Sequence, residues 1–446
     1  MESLFRRSTM PATIRPGSFG STLNGEETAR DARSGVDANA PEQDSNLCDL
    51  HNRTNASTPD PNIEKGNDVH AADMYDPNRP KLSMRQRIRH FTWAWYTFPM
   101  STGGLSMLFS AQLNQFPGLK YIGLAVYIIN ILIFTAITIT MVARFVLHTG
   151  SFTTSVTHPR EGFFVPTFFL SLATLITSTD RYAVPRDNSN LVWAVQASYW
   201  AYVVITLLLA IGQYSYVFAV HNFGLQTMMP TWILPIFPIM LSGTIASIIA
   251  ETQPDIAAVP IILVGLTCQG LGLSVAVMMY AHMVGRLMQA GLPDREHRTG
   301  LFMCVGPPAF TALALIGMAR GFPGDLDLTG DGRVIDASLV RLIAIMGAVF
   351  LWALSLWWFG IAAMAVILAP PRHFHLGWWA MVFPNTGFTL ATISIAREIG
   401  ADVLAWVSTG MSIIIVITFS FVLFHHVRAV IVQDIMYPGL DEDVDH

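Results

Sequence analysis

Thr231-Trp232-Ile233-Leu234-Pro235-Ile236-Phe237-Pro238-Ile239-Met240-Leu241-Ser242-Gly243-Thr244-Ile245-Ala246-Ser247-Ile248-Ile249-Ala250 is a run of twenty residues without one charged side chain. A helix needs about 20 apolar residues to cross a hydrocarbon core of ~30 Å. Nine further stretches have the same character: 91–112, 121–147, 162–179, 192–219, 256–282, 300–319, 338–369, 378–396 and 403–424. The whole chain agrees with this reading. Its 446 residues are 52% hydrophobic and only 13% charged, where a soluble domain carries about 25% charged residues. The expected fold class is an all-α membrane protein with ten transmembrane helices.

The prolines in the opening run belong to a repeat. Odd-numbered spans hold Pro99, Pro166, Pro235, Pro238, Pro307, Pro308 and Pro384, while even-numbered spans hold only Pro260. Pro99, Pro166, Pro238, Pro307 and Pro384 are separated by 67, 72, 69 and 77 residues. Such a period is one helical hairpin, repeated five times. Proline removes a backbone donor and crowds the preceding turn, so the odd spans should kink and free carbonyls. Inside a membrane, freed carbonyls survive only where protein or a water-filled cavity satisfies them. The odd helices should therefore face a central pore and the even helices should face lipid. Small and hydroxyl residues accompany the prolines, as in Ser101-Thr102-Gly103-Gly104, Ser242-Gly243-Thr244 and Asn385-Thr386-Gly387. The candidate lining is Thr102, Gly103, Thr244, Pro307, Phe310, Thr311, Asn385 and Thr386.

Three domains are expected. Residues 1–84 form a polar N-terminal tail, with 13 acidic and 8 basic residues in the first 80, too poor in apolar side chains to fold. Residues 85–428 form the ten-helix transmembrane domain, and 429–446 a short acidic tail. Basic residues set the orientation. With the N-terminus in the cytosol, twelve of those near span ends fall on the cytosolic side and seven outside, led by Arg85, Arg87 and Arg89 before the first span. Both termini are then cytosolic. Asn52 and Asn55 match the glycosylation pattern, but on the cytosolic side the match carries no meaning.

The charge pattern bounds the chemistry. No Asp or Glu falls inside the ten spans as drawn, which argues against cation sites and carboxylate proton relays. An anion pathway has the opposite need, a field made by hydroxyls, amides and helix ends. Arg144, His282, Arg341 and Arg397 at span ends are candidates for concentrating anions at the mouths. A net charge of −5 excludes a nucleic-acid partner. Cys48, Cys268 and Cys304 have no metal or disulfide spacing. The Asp325–Gly332 run looks like a calcium loop, but with Asp327 counted as first the twelfth position is Ser338, where a bidentate acid is needed. No metal or cofactor is expected. A membrane-embedded enzyme is the competing class, but no nucleophile motif supports it.

Phe91-Thr92-Trp93-Ala94-Trp95 leading into Ser101–Gly104, and His158-Pro159-Arg160-Glu161 before the third span, resemble the tellurite-resistance/dicarboxylate transporter family. The Trp232–Ser247 stretch and Gly306-Pro307-Pro308-Ala309-Phe310-Thr311-Ala312-Leu313-Ala314-Leu315 resemble that family's fungal malic acid permeases. Trp378–Asn385 resembles its ninth helix. The resemblance implies five helical hairpins around a pore within each subunit, odd helices lining it, and a homotrimer. It implies transport of C4-dicarboxylates such as malate across the plasma membrane, with a small carboxylate anion and the lipid bilayer as partners. Sulfite or another small inorganic anion on the same scaffold is the alternative. It also places the occluding phenylalanine at Phe383, which directly precedes Pro384; Phe310 and Phe388 are the runners-up.

Overall fold

The computed structural model describes residues 79–185, 188–324 and 336–440. The calcium-like run, the two glycosylation-pattern sites, Cys48 and the tail to residue 78 lie outside them. Among the described residues every regular element is helical. The longer helices are α1 (Thr97–Ala111), α2 (Leu119–Leu147), α3 (Val165–Tyr182), α4 (Ser189–Val220), α5 (Phe237–Ile249), α6 (Asp255–Ala290), α7 (Gly306–Arg320), α8 (Ala337–Leu368), α9 (Phe383–Ile399) and α10 (Asp402–Val432). Eight segments are long and apolar enough to cross a membrane, so the chain is a multi-pass membrane protein. The α1 and α9 runs fall outside that eight. α1 carries the polar Ser101–Gly104 run, and α9 begins only after a break at Val382.

The odd helices touch one another in a closed ring, α1 to α3 to α5 to α7 to α9 and back to α1, and each packs against the even helix that follows it. Burial divides the two sets. The most apolar part of Pro230–Thr252 is 100% buried and that of Arg295–Arg320 is 83% buried, against 17% for both Ser189–Val220 and Asp402–Val432. The outer helices expose large apolar side chains such as Leu208, Phe350 and Ile417. Exposure of this kind fits a solvent as apolar as the side chains themselves.

The prolines mark the inner helices, but they do not kink them midway as the sequence suggests. Each inner helix is preceded by a tighter 3₁₀ lead-in: Trp93–Tyr96, Glu161–Phe164, Pro230–Ile236, Arg295–Val305 and Leu376–Met381. Pro99, Pro166, Pro238, Pro307 with Pro308, and Pro384 stand in the first turn of the α-helix that follows. There a missing N–H costs nothing, because that donor has no partner within the helix. Proline cannot donate back into the preceding turn, so the α-ladder cannot run through it and the lead-in closes with i→i+3 bonds. The carbonyls so released are satisfied by side chains rather than by a wet channel. The carbonyl of Cys304 faces Pro307 and Pro308, neither of which can donate, and the Tyr280 hydroxyl of α6 donates to it at 2.8 Å. On α4, Tyr214 donates at 2.8 Å to the carbonyl of Trp232, three residues before Pro235, and Tyr202 adds a bond at 3.0 Å to the Pro238 carbonyl in the first turn of α5.

One ion pair joins the lead-ins of α1 and α3. Arg144, near the end of α2, pairs with Glu161 and donates to the Phe91 carbonyl at 2.7 Å, while Glu161 accepts the backbone N–H of Trp93 at 3.3 Å. Arg144 is thus a buried tie and not a residue of the mouth. Beyond α10 the chain turns back at Gln433. Asp434 pairs with Arg79 at 2.9 Å, and Arg87 of the short helix Met84–Arg89 donates to the Val430 carbonyl at 2.7 Å. Breaking a buried pair leaves an uncompensated charge, so Glu161→Gln should destabilise the purified protein by about 3–5 kcal/mol. The readout is its thermal unfolding, and Arg144→Met combined with Glu161→Leu should recover most of the loss.

Candidate functional site

Inside the ring lie three cavities in series. At the lead-in end a vestibule of about 540 Å³ is walled by residues including Arg160, Trp232, Arg286, His297, Met303 and His375. A middle cavity of about 20 Å³ shares Met303 with it, and has room for about one water. A far cavity of about 120 Å³ shares Phe383 with the middle one. Phe383 is the wall between them.

Phe383 is 1% exposed and does not stand alone. Its ring stacks on Phe310 with centroids 5.0 Å apart and meets Phe237 edge-on at 6.3 Å; Phe237 and Phe310 lie 5.9 Å apart. Each ring rests on a glycine of a neighbouring inner helix. A Cβ on Gly104 would stand 3.3 Å from Phe383, one on Gly387 2.6 Å from Phe310, and one on Gly306 2.6 Å from Phe237. The small residues that accompany the prolines thus let three aromatic rings meet on the axis. Phe237 was not singled out in the sequence, although it precedes Pro238 as Phe383 precedes Pro384. Phe388 packs on Trp352 and Phe359, toward α8 and away from the rings.

The candidate lining residues divide. Thr244, Phe310 and Thr386 join Phe383 on the wall of the far cavity. Thr102, Gly103, Pro307, Thr311 and Asn385 are buried but outside the walls of these three cavities. A Cβ on Gly103 would collide with Thr174 and Asn130, so this glycine is a packing contact and Gly104 is the one on the wall. Thr311 donates to the Pro307 carbonyl at 2.7 Å and accepts from Gln269 of α6 at 2.8 Å. Asn385 donates to the Met381 carbonyl at 2.8 Å.

Hydroxyls do less for an anion than their number suggests. Around the far cavity, Ser110, Thr174, Thr177, Ser247 and Thr386 each donate to a carbonyl of their own helix at 2.6–3.1 Å. A hydroxyl has one proton, so these groups turn only lone pairs to the lumen. Thr244 is an exception: its buried hydroxyl has no partner among the described residues and is free to donate. The positive field comes from Arg181, Arg320 and Arg397, three cations on a wall whose only acid is Glu251. Arg181 lies 3.6 Å from Glu251, Arg320 pairs with Glu398, and Arg397 donates to the Ala111 carbonyl at 2.8 Å. Arg397 was among the expected mouth residues. His282 and Arg341 sit exposed on outer helices. The helices also outrun the spans drawn from sequence, so that Asp180 and Glu398 fall in their last turns; the carboxylates sit at the ends of the bundle.

A ring of inner helices inside an apolar shell, with arginines at one end of its interior, suits a membrane protein that passes anions. The chain matches the SLAC1 voltage-dependent anion channel family over residues 90–427, and it belongs to that family. It is 33% identical over 368 residues to the malic acid transport protein of Schizosaccharomyces pombe, covering 82% of this chain and 84% of the relative. A putative malic acid transport protein of the same organism is 32% identical, covering 82% and 86%. The sulfite efflux pump SSU1 of Trichophyton rubrum is 25% identical, covering 74% and 88%. These names are of transporters and channels, not enzymes.

Overpacking of a filled interior costs about 1–3 kcal/mol. Gly387→Ala, which drives a methyl into the Phe310 ring, should lower the unfolding temperature accordingly. The same change in a Phe310→Ala background should cost little.

Proposed function

We propose that the chain transports C4-dicarboxylate anions of the malate type across the plasma membrane, through a pore within each subunit that Phe383 closes. The observation that carries this reading is Phe383 itself, standing between the small middle cavity and a far cavity rimmed by three arginines. The substrate class rests on the two malic acid relatives, which are more similar and cover more of the chain than the sulfite pump. Sulfite is the second reading, favoured by sulfite efflux relatives that are 25% identical. In the same reading the α1 and α9 runs complete ten spans in five hairpins, with both termini in the cytosol, in a homotrimer embedded in the bilayer. The vestibule then opens to the cytosol and the far cavity to the outside.

The mechanism follows from the wall. A hydrated anion does not cross a dewetted constriction cheaply. With the three rings together the pore is shut; when Phe383 swings aside, the middle and far cavities join and water enters. Arg181, Arg320 and Arg397 raise the anion concentration at the far mouth, and the Thr244 hydroxyl gives the anion one neutral donor beside the rings.

Cells expressing the chain should take up radiolabelled malate, with excess sulfite competing weakly. Sulfite competing more strongly than malate itself would transfer the assignment to sulfite. At matched surface expression Phe383→Ala should raise the anion leak; no increase there, with an increase in Phe310→Ala, would move the gate.

Thr244→Val keeps the shape and removes the free donor. Loss of one hydrogen bond to a charged group should raise the half-saturating malate concentration roughly tenfold. Thr386→Val, whose proton is already committed to the Phe383 carbonyl, should change it far less.

A further inference from the structure

The vestibule at the lead-in end holds a group of charged side chains that the closed pore does not use. Two residues of the His158-Pro159-Arg160-Glu161 motif are spent on structure. The His158 ring nitrogen accepts the backbone N–H groups of Arg160 and Glu161 at 3.2 and 3.0 Å, and Glu161 is paired with Arg144. Arg160 is left over. Its guanidinium lines the vestibule and has no hydrogen-bond or ion-pair partner among the described residues. On the same wall the Nδ1 atom of His297 is buried without a partner.

The remaining charges around His297 are accounted for. His375, Arg160, Asp294 and Glu296 face it, and the His375 ring lies 6.1 Å away. Glu296 is occupied: it accepts the backbone N–H groups of Arg372 and His373 at 3.0 and 3.1 Å, and lies 3.7 Å from His375. Arg286 donates to the Gln226 and Gly291 carbonyls, and Arg298 to those of Pro293 and Ala365. Two arginines and two carboxylates line this cavity, so its fixed charge is balanced until a histidine takes a proton.

We propose that this vestibule is a loading site for a dicarboxylate, in which the Arg160 guanidinium takes one carboxylate and the His297 imidazole donates to the other. The proposal rests on the transport reading above and adds a second point of recognition, remote from the Phe383 plug. Two donors on one wall select a substrate with two anionic ends over a monocarboxylate. An unpartnered arginine matches one carboxylate with a forked pair of bonds. The buried Nδ1 of His297 has no acceptor among the described residues, so a neutral imidazole protonated there has its N–H free for the second carboxylate.

The test uses the full-length protein in lipid nanodiscs for malate and lactate binding, and in liposomes for malate flux. Arg160→Gln should weaken malate binding about tenfold and lactate binding much less, while Arg160→Lys should restore most of it. His297→Leu, which removes the donor, should weaken malate binding about tenfold and lactate binding much less. If the wild type carries malate but Arg160→Gln and His297→Leu both bind it normally, the loading site is overturned and the transport reading stands. A wild type that neither binds nor carries malate overturns both.

Discussion

Close approach of five inner helices is the constraint on which the rest depends. Three phenyl rings meet on the axis only because Gly104, Gly306 and Gly387 offer no side chain where the rings must lie. That approach requires glycine at the ring contacts and proline at the helix starts, and the inner α-helices are short, 13–18 residues against 29–36 in the outer set. The outer helices supply what these lack. They are longer, uniformly apolar and mostly exposed, and they return tyrosine hydroxyls to the carbonyls that the inner prolines strand. Plug, ring and lipid-facing shell are thus consequences of one division of labour.

Much of this was legible in the sequence, and the misreadings have physical causes. The proline period picked out all five inner helices, because proline placement records where an α-ladder begins. It did not reveal that the prolines open helices instead of bending them; that depends on whether the preceding residues are α or 3₁₀, which a proline alone does not encode. Phe383 was singled out by its place before Pro384 together with the family resemblance, and the structure puts it on a cavity wall; Phe237, in the same place before Pro238, was overlooked. The lining residues were harder. Gly103 and Gly104 are adjacent, yet a rotation of about 100° per residue turns one into a neighbouring helix and the other onto the cavity wall. Span ends were drawn a few residues short, which hid Asp180 and Glu398 and left Arg181 and Arg320 among ordinary flanking charges.

Hydroxyls were expected to supply the positive field, and most do not. Threonine and serine inside helices donate to the carbonyl one turn back, as Thr174, Thr177 and Thr386 do here. Sequence cannot distinguish such a residue from Thr244, whose proton is free. The distinction decides selectivity. A wall of committed hydroxyls presents lone pairs and suits a cation as well as an anion, so the preference for anions has to come from the guanidinium groups at the two ends.

Magnitudes then decide how an anion passes. The middle cavity has room for about one water, and a bare carboxylate brought into such a site faces a desolvation cost of tens of kcal/mol in the idealised limit. No pair of mouth arginines offsets that at a distance, since screening and separation reduce each to a small term. Moving the plug is a far smaller task. Phe383 keeps its place through two ring contacts, each worth about 0.5–1.5 kcal/mol beyond burial. On the proposed reading, the route of lowest cost is therefore to displace the ring, let water follow, and carry the anion through hydrated, with the charged ends raising its concentration and the narrow middle determining when it crosses.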